Sequence, residues 1–189
     1  MPDKDAHLRW TELSRRRIAS GVIFDLFAAD RASPGGRRGE FWILEARDWV
    51  TVVPVVLDPS GRPCFLMVRQ YRHGADRITT EFPSGLVEHG EDPEAAAARE
   101  LREETGHRAG RLVGLGSLLP NPAFMNNRAH TFVAELLQKD GAPTLDELES
   151  LDTVTMPVDE VFDHAGRGEL VNAMTVVALA EYQRYRDRA

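Results

Sequence analysis

Apolar side chains recur along this chain in short runs bounded by turn-forming residues, a pattern of strands more than of long helices. RIASGVIFDLFA (residues 17–28) alternates loosely and predicts a strand, and ASPGGRRGE (32–40) predicts a turn or mobile loop. FWILEA (41–46) and WVTVVPVVLD (49–58) predict two more strands. PSGR (59–62) is a tight turn, and PCFLMVRQY (63–71) returns beside the preceding run as a hairpin. Further strands are expected near 111–119, 129–138 and 151–156. Pro157 precedes a short helix over 158–166. A last helix spans 171–187, with Val171, Met174, Val177 and Leu179 near its start. Strands mixed with a few helices, without regular strand–helix–strand units, predict a layered α+β fold.

One helix is marked by its ends. Asp92 can cap it, Pro93 suits its first position, and Glu94 favours the positive end of its dipole. Ala95 to Ala98 are good helix formers, and Gly106 can end the helix in the left-handed conformation. This helix carries the chemistry. In GLVEHGEDPEAAAARELREETGH (85–107), Gly85, Glu91, Arg99, Glu100, Glu103, Glu104 and Gly106 follow the spacing G-x5-E-x7-R-E-x-x-E-E-x-G. Residues three and four apart share a helix face, so Glu100, Glu103 and Glu104 gather together. Carboxylates so close repel one another unless a cation neutralises them, and hard divalent cations prefer oxygen ligands. Arg99, four before Glu103, can pin a carboxylate by a two-pronged contact. Seven fixed positions would match by chance roughly once in 10⁷ starts, which sets this segment apart from an ordinary solvated acidic helix.

The segment resembles the Nudix box of the Nudix hydrolase superfamily at each of those positions. The residue after the last glycine is usually aliphatic there and is His107 here, a change expected to repack locally. The resemblance implies an α/β/α Nudix sandwich with a mixed sheet. It also implies a catalytic domain over residues 48–189, preceded at 1–47 by a small β extension. In the ADP-ribose pyrophosphatase branch such an extension helps to build a homodimer and part of the substrate pocket. Phe24, Phe27, Phe41 and Trp42 could serve that role, or act as plain core. Glu100, Glu103, Glu104 and the Ser84 carbonyl would hold magnesium, or manganese in its place.

RQYR at 69–72, followed by E-x-P-x-G at the box entrance, resembles the same branch. Arg72 and Arg69 are candidates for a diphosphate, since guanidinium forks suit phosphate oxygens, or for ion pairs. Glu81 matches a position that often helps to bind substrate in that branch, or is a salt-bridge residue. Pro122 matches a proline of the specificity loop. Asn126 and Asn127 stand where an acidic residue is common, and either bind sugar or base edges or cap a turn. In the later loop TLDELES (144–150), Glu147 and Glu149 occupy places that complete the site in relatives. One would activate water and the other bind metal, or both belong to a solvated loop. Glu103 is the alternative base, with Arg99 beside it.

The reaction implied is metal-assisted hydrolysis of a nucleoside diphosphate linked to a sugar, with ADP-ribose giving AMP and ribose 5-phosphate. The alternatives are a GDP-mannose or broader nucleotide-sugar hydrolase, and a sensor that binds such a ligand without cleaving it. A net charge of −7 argues against a nucleic-acid surface. Cys64 is the single cysteine, the first ten residues are too polar for a signal peptide, and no apolar run approaches a membrane span. Cytoplasmic residence is therefore expected, with no membrane partner.

Overall fold

A computed structural model of the chain describes residues 3–188; Met1, Pro2 and Ala189, at the outer ends of the two expected domains, lie outside it. Contacts divide it into two compact units. One runs through the described residues up to Arg47 and adds Leu119–Arg128. The other comprises Asp48–Leu118 and the described residues from Ala129 onward.

The first unit is an antiparallel meander of β1 (Thr11–Ser20), β2 (Phe24–Ala32) and β3 (Arg38–Ala46). The sequence reads residues 17–28 as one strand, but the Gly21 amide bonds the Phe24 carbonyl at 2.9 Å and folds that run into the β1–β2 turn. The last third of the expected loop at 32–40 is the start of β3, where Gly39 pairs with Arg31. Cross-strand ion pairs such as Arg15–Glu45 and Arg16–Glu40, both at 2.7 Å, lace the meander. Asn126 and Asn127 fasten the 119–128 segment to the end of β3. Asn126 Oδ1 accepts from the Ala46 amide at 3.2 Å, and Asn127 Nδ2 donates to the Arg47 carbonyl at 3.1 Å.

The second unit begins with β4 (Trp49–Leu57), β5 (Pro63–Arg72), β6 (Arg77–Glu81) and β7 (Ser84–Leu86). The helix α1 (Pro93–Thr105) follows, then β8 (His107–Arg108), β9 (Arg111–Leu118), β10 (Ala129–Glu135), β11 (Gln138–Lys139) and β12 (Leu151–Pro157). The helices α2 (Val158–His164) and α3 (Ala173–Arg186) close the chain. Five strands run in the order β12-β5-β4-β10-β9, with β6 added to β5 and β7 to β4. The sheet is mixed: β4 and β10 are parallel, and the other pairs antiparallel.

Strand side chains alternate between faces, and each face has its own core. Val50, Val52, Phe132 and Ala134 pack against Ala96, Ala97 and Leu101 of α1. Val53, Phe65, Met67 and Val133 pack against Val158 and Val161 of α2 and against Ala178, Leu179 and Tyr182 of α3. The result is the expected α/β/α sandwich, an α+β fold. Among the described residues, no helix is long and apolar enough to cross a membrane.

Candidate active site

Two elements at the start of β4, the strand β7 and the helix α1, build the site. β7 pairs antiparallel with the start of β4, matching Thr51 with Ser84 and Val50 with Gly85. The helix α1 begins where Asp92 accepts the Glu94 amide at 2.8 Å. It stops at Gly106, which takes φ 69°, a left-handed conformation open to glycine without strain. The next residue, His107, donates Nδ1–H to the Thr105 carbonyl at 2.8 Å.

The glycine at 85 lets the helix approach. A β-carbon there would lie 2.1 Å from the Glu100 carboxylate. One turn further, Glu104 is only 3% exposed and accepts the Ser84 amide at 3.0 Å. Burial pushes Glu104 up to about 8, and Glu100 and Glu149 add like-charge repulsion; the Ser84 amide and Arg72 oppose the rise only in part. Burial likewise raises Glu100, with Arg99 pulling down and Glu103 and Glu149 pushing up.

Arg99 organises the remaining acids. Its Nε and Nη2 grip Glu91 through two bonds of 3.0 Å, and Nη2 also donates to the Leu86 carbonyl at 2.9 Å. Nη1 bridges Glu100 at 2.7 Å and Glu103 at 3.0 Å. The two-pronged partner is thus Glu91, eight residues back, and Glu103 receives a single bond. The motif contains both residues, but strand-to-helix distance, which sequence does not show, decides which carboxylate meets the fork.

The loop after β11 is tied to the helix end. Asp140 and Thr144 donate their amides to the Gly106 and Glu103 carbonyls, each at 2.8 Å. Farther along, exposed Glu149 accepts the Asp146 amide at 3.2 Å and lies within electrostatic reach of Glu100 and Glu104. Glu147 is exposed on the same loop.

Arg69 and Arg72 stand three apart on β5 and so project from opposite faces. Arg69 forms a two-pronged pair with Glu169 at 2.7 Å. Arg72 pairs with buried Glu81 and reaches Glu104 and Glu149 electrostatically. Sequence reasoning missed Glu169, Thr79 and Thr80 as partners in these pairs. The sequence carries no signal for them, because residues 77–81 lack the apolar alternation that marks a strand. Pro122, Asn126 and Asn127 belong to the first unit, where Pro122 is exposed and both asparagines bond backbone.

Among the described residues, no three acidic or imidazole side chains form a ready-made metal cage. Arg99 sits between Glu100 and Glu103 in this arrangement. The donor set still fits a hard divalent cation. One guanidinium touches Glu91, Glu100 and Glu103, while Glu104 remains buried beside further acids with a strongly raised proton affinity. A cation among these oxygens would discharge that repulsion.

A family model for the NUDIX domain matches residues 47–174. The chain is 30% identical over 172 residues to a methanol dehydrogenase activator of Bacillus methanolicus, the match covering 90% of this chain and 91% of that one. It is equally similar, with the same coverage, to an ADP-ribose pyrophosphatase of Bacillus subtilis (strain 168). A crystal structure of an ADP compounds hydrolase superposes with a TM-score of 0.82 at 26% identity, covering 95% of each chain.

Proposed function

The chain belongs to the Nudix family and is a Nudix hydrolase; on that footing we propose that it hydrolyses the pyrophosphate of a nucleoside diphosphate linked to a sugar, with ADP-ribose as substrate and AMP and ribose 5-phosphate as products. The observation that carries this reading is the buried Glu104 carboxylate, which accepts the Ser84 amide and feels the charges of Glu100, Glu149 and Arg72. Oxygen donors for a cation and a guanidinium for phosphate oxygens thereby share one place. The name of the Bacillus subtilis relative supports the choice of ADP-ribose.

Glu100, Glu103, Glu104, Glu149 and the Ser84 carbonyl would hold magnesium, or manganese in its place. Such an ion, when bound, offsets diphosphate charge and makes water more acidic. Arg99 keeps Glu100 and Glu103 oriented, and Arg72 receives the diphosphate. A carboxylate, Glu103 on the helix or Glu147 on the loop, takes the proton from the attacking water. The pH profiles of Glu103→Gln and Glu147→Gln assign that role, because only loss of the base removes the acidic limb.

A substrate panel tests the reading: ADP-ribose, ADP-glucose, GDP-mannose and dinucleoside polyphosphates, each with and without Mg²⁺, followed by phosphate release after phosphatase treatment. Turnover of ADP-ribose above the others is expected. A preference for GDP-mannose would transfer the assignment to that sugar, and binding without turnover would leave a sensor.

The β extension through residue 47 is proposed to mediate a homodimer. Val22, Ile23 and Trp42 are exposed at 97%, 56% and 57%, an apolar set suited to burial against a second copy. Sedimentation equilibrium checks this, with a monomer at micromolar concentration as the contrary result.

A further inference from the structure

Arg72 is held from behind by a carboxylate that water does not reach. Its Nε and Nη2 donate to the two oxygens of Glu81 at 3.0 and 2.6 Å. Glu81 is 1% exposed, whereas the Arg72 side chain is 40% exposed. A buried carboxylate is tolerated only when its oxygens are supplied with donors. Arg72 provides two of these. The next comes from Thr79, buried two residues earlier on β6 and on the same face, whose hydroxyl donates to Glu81 Oε1 at 2.6 Å. Asn172, which caps α3 by accepting the Met174 amide at 2.8 Å, lies beside the same carboxylate. Gln70, across the strand pair from Thr79, buries its amide nitrogen with no acceptor and so does not supply Glu81.

The pair consumes one edge of the guanidinium. Nη1 is not needed for it, and the charge of Arg72 acts on Glu104 and Glu149. Edge-on pairing fixes the plane of the fork as well as its position, which a single contact would not do.

We infer that Thr79 is a positioning residue for substrate affinity: its hydroxyl orients the Glu81 carboxylate, which holds Arg72 edge-on with its free edge toward the substrate diphosphate. Glu81 is then the anchor of Arg72 and makes no substrate contact of its own. The inference rests on the reading that a diphosphate binds at the carboxylate cluster.

The test is a kinetic comparison of Thr79→Val, which removes the donor at nearly constant volume, with Thr79→Ser, which keeps it. Both are assayed on ADP-ribose with saturating Mg²⁺, alongside thermal melts. Thr79→Val should raise KM on the order of tenfold, with kcat within about twofold, as for loss of a hydrogen bond to a charged group. Thr79→Ser should return KM to within about twofold of the parent. In an Arg72→Ala background, Thr79→Val should change KM no further, because its effect passes through Arg72.

An unchanged KM in folded Thr79→Val overturns the inference. So does a KM rise that persists without Arg72, or that serine fails to rescue. If Thr79→Val is too unstable to assay, Thr79→Cys replaces it, with a KM rise of about threefold expected from its weaker donor and no rise counting against the inference. A parent protein that cleaves no nucleotide sugar defeats the functional reading itself, and the role of Thr79 falls with it.

Discussion

Gly85 and Glu100 share one volume: a β-carbon on the glycine would lie 2.1 Å from the carboxylate of the glutamate. Gly85→Ala must therefore displace Glu100 or push α1 from β7. A shift of about 1 Å in such a site costs on the order of a hundredfold in rate. Steady-state kinetics should show that loss in kcat/KM, with the melting temperature within a few degrees of the parent. Near-normal turnover would mean that the position of Glu100 does not matter.

Arg99 ties three acids and one carbonyl together with its side chain 23% exposed. Arg99→Ala leaves those carboxylates unpaired and should lower unfolding stability by about 3 kcal/mol in urea titrations. Arg99→Lys should restore little, because an ammonium cannot span Glu91 on one edge and Glu100 with Glu103 on the other. Full recovery with lysine would reduce the network to simple charge.

Glu104 couples stability to pH. In the folded chain its carboxyl keeps a proton up to about 8, against an ordinary value of 4.5, chiefly through burial. Between those values the folded state binds more protons than the unfolded state. The contribution to stability is thus full below 4.5 and declines as pH rises through about 8. Melts in chelator should fall across that window, Glu104→Gln should flatten the fall, and Mg²⁺ should restore the melting temperature at the alkaline end. A parent melting curve independent of pH would contradict the burial of an ionisable acid here.

Gly116 serves the opposite face of the sheet. A β-carbon there would lie 2.9 Å from Oε1 of Glu181, a buried α3 carboxylate whose Oε2 has no partner. Gly116→Ala should cost about 1–3 kcal/mol in urea unfolding, as overpacking does, while kcat stays near the parent value. A neutral effect on stability would show that Glu181 can swing away freely.

The sequence reveals elements best where local chemistry writes both ends. Asp92, Pro93 and Gly106 bound α1 as expected, because capping depends on neighbouring residues alone. β6 was missed because RITTE buries Thr79, Thr80 and Glu81, polar residues whose burial depends on partners brought from β5 and from residue 169. The same distance effect hid the pairing of Arg72 with Glu81 and of Arg69 with Glu169. The box glutamates were legible by spacing. The Arg99–Glu91 grip was not, since it spans the turn between β7 and α1.

The acids around Glu104 are proposed to work by holding a divalent cation. The direct measurement is ADP-ribose turnover as a function of Mg²⁺ for the parent protein, Glu100→Gln and Glu104→Gln. Turnover in the parent should rise with Mg²⁺ and vanish in chelator, and both variants should lose about 10³-fold at any Mg²⁺ concentration. Turnover that survives chelation, or that both glutamine variants retain, would contradict it.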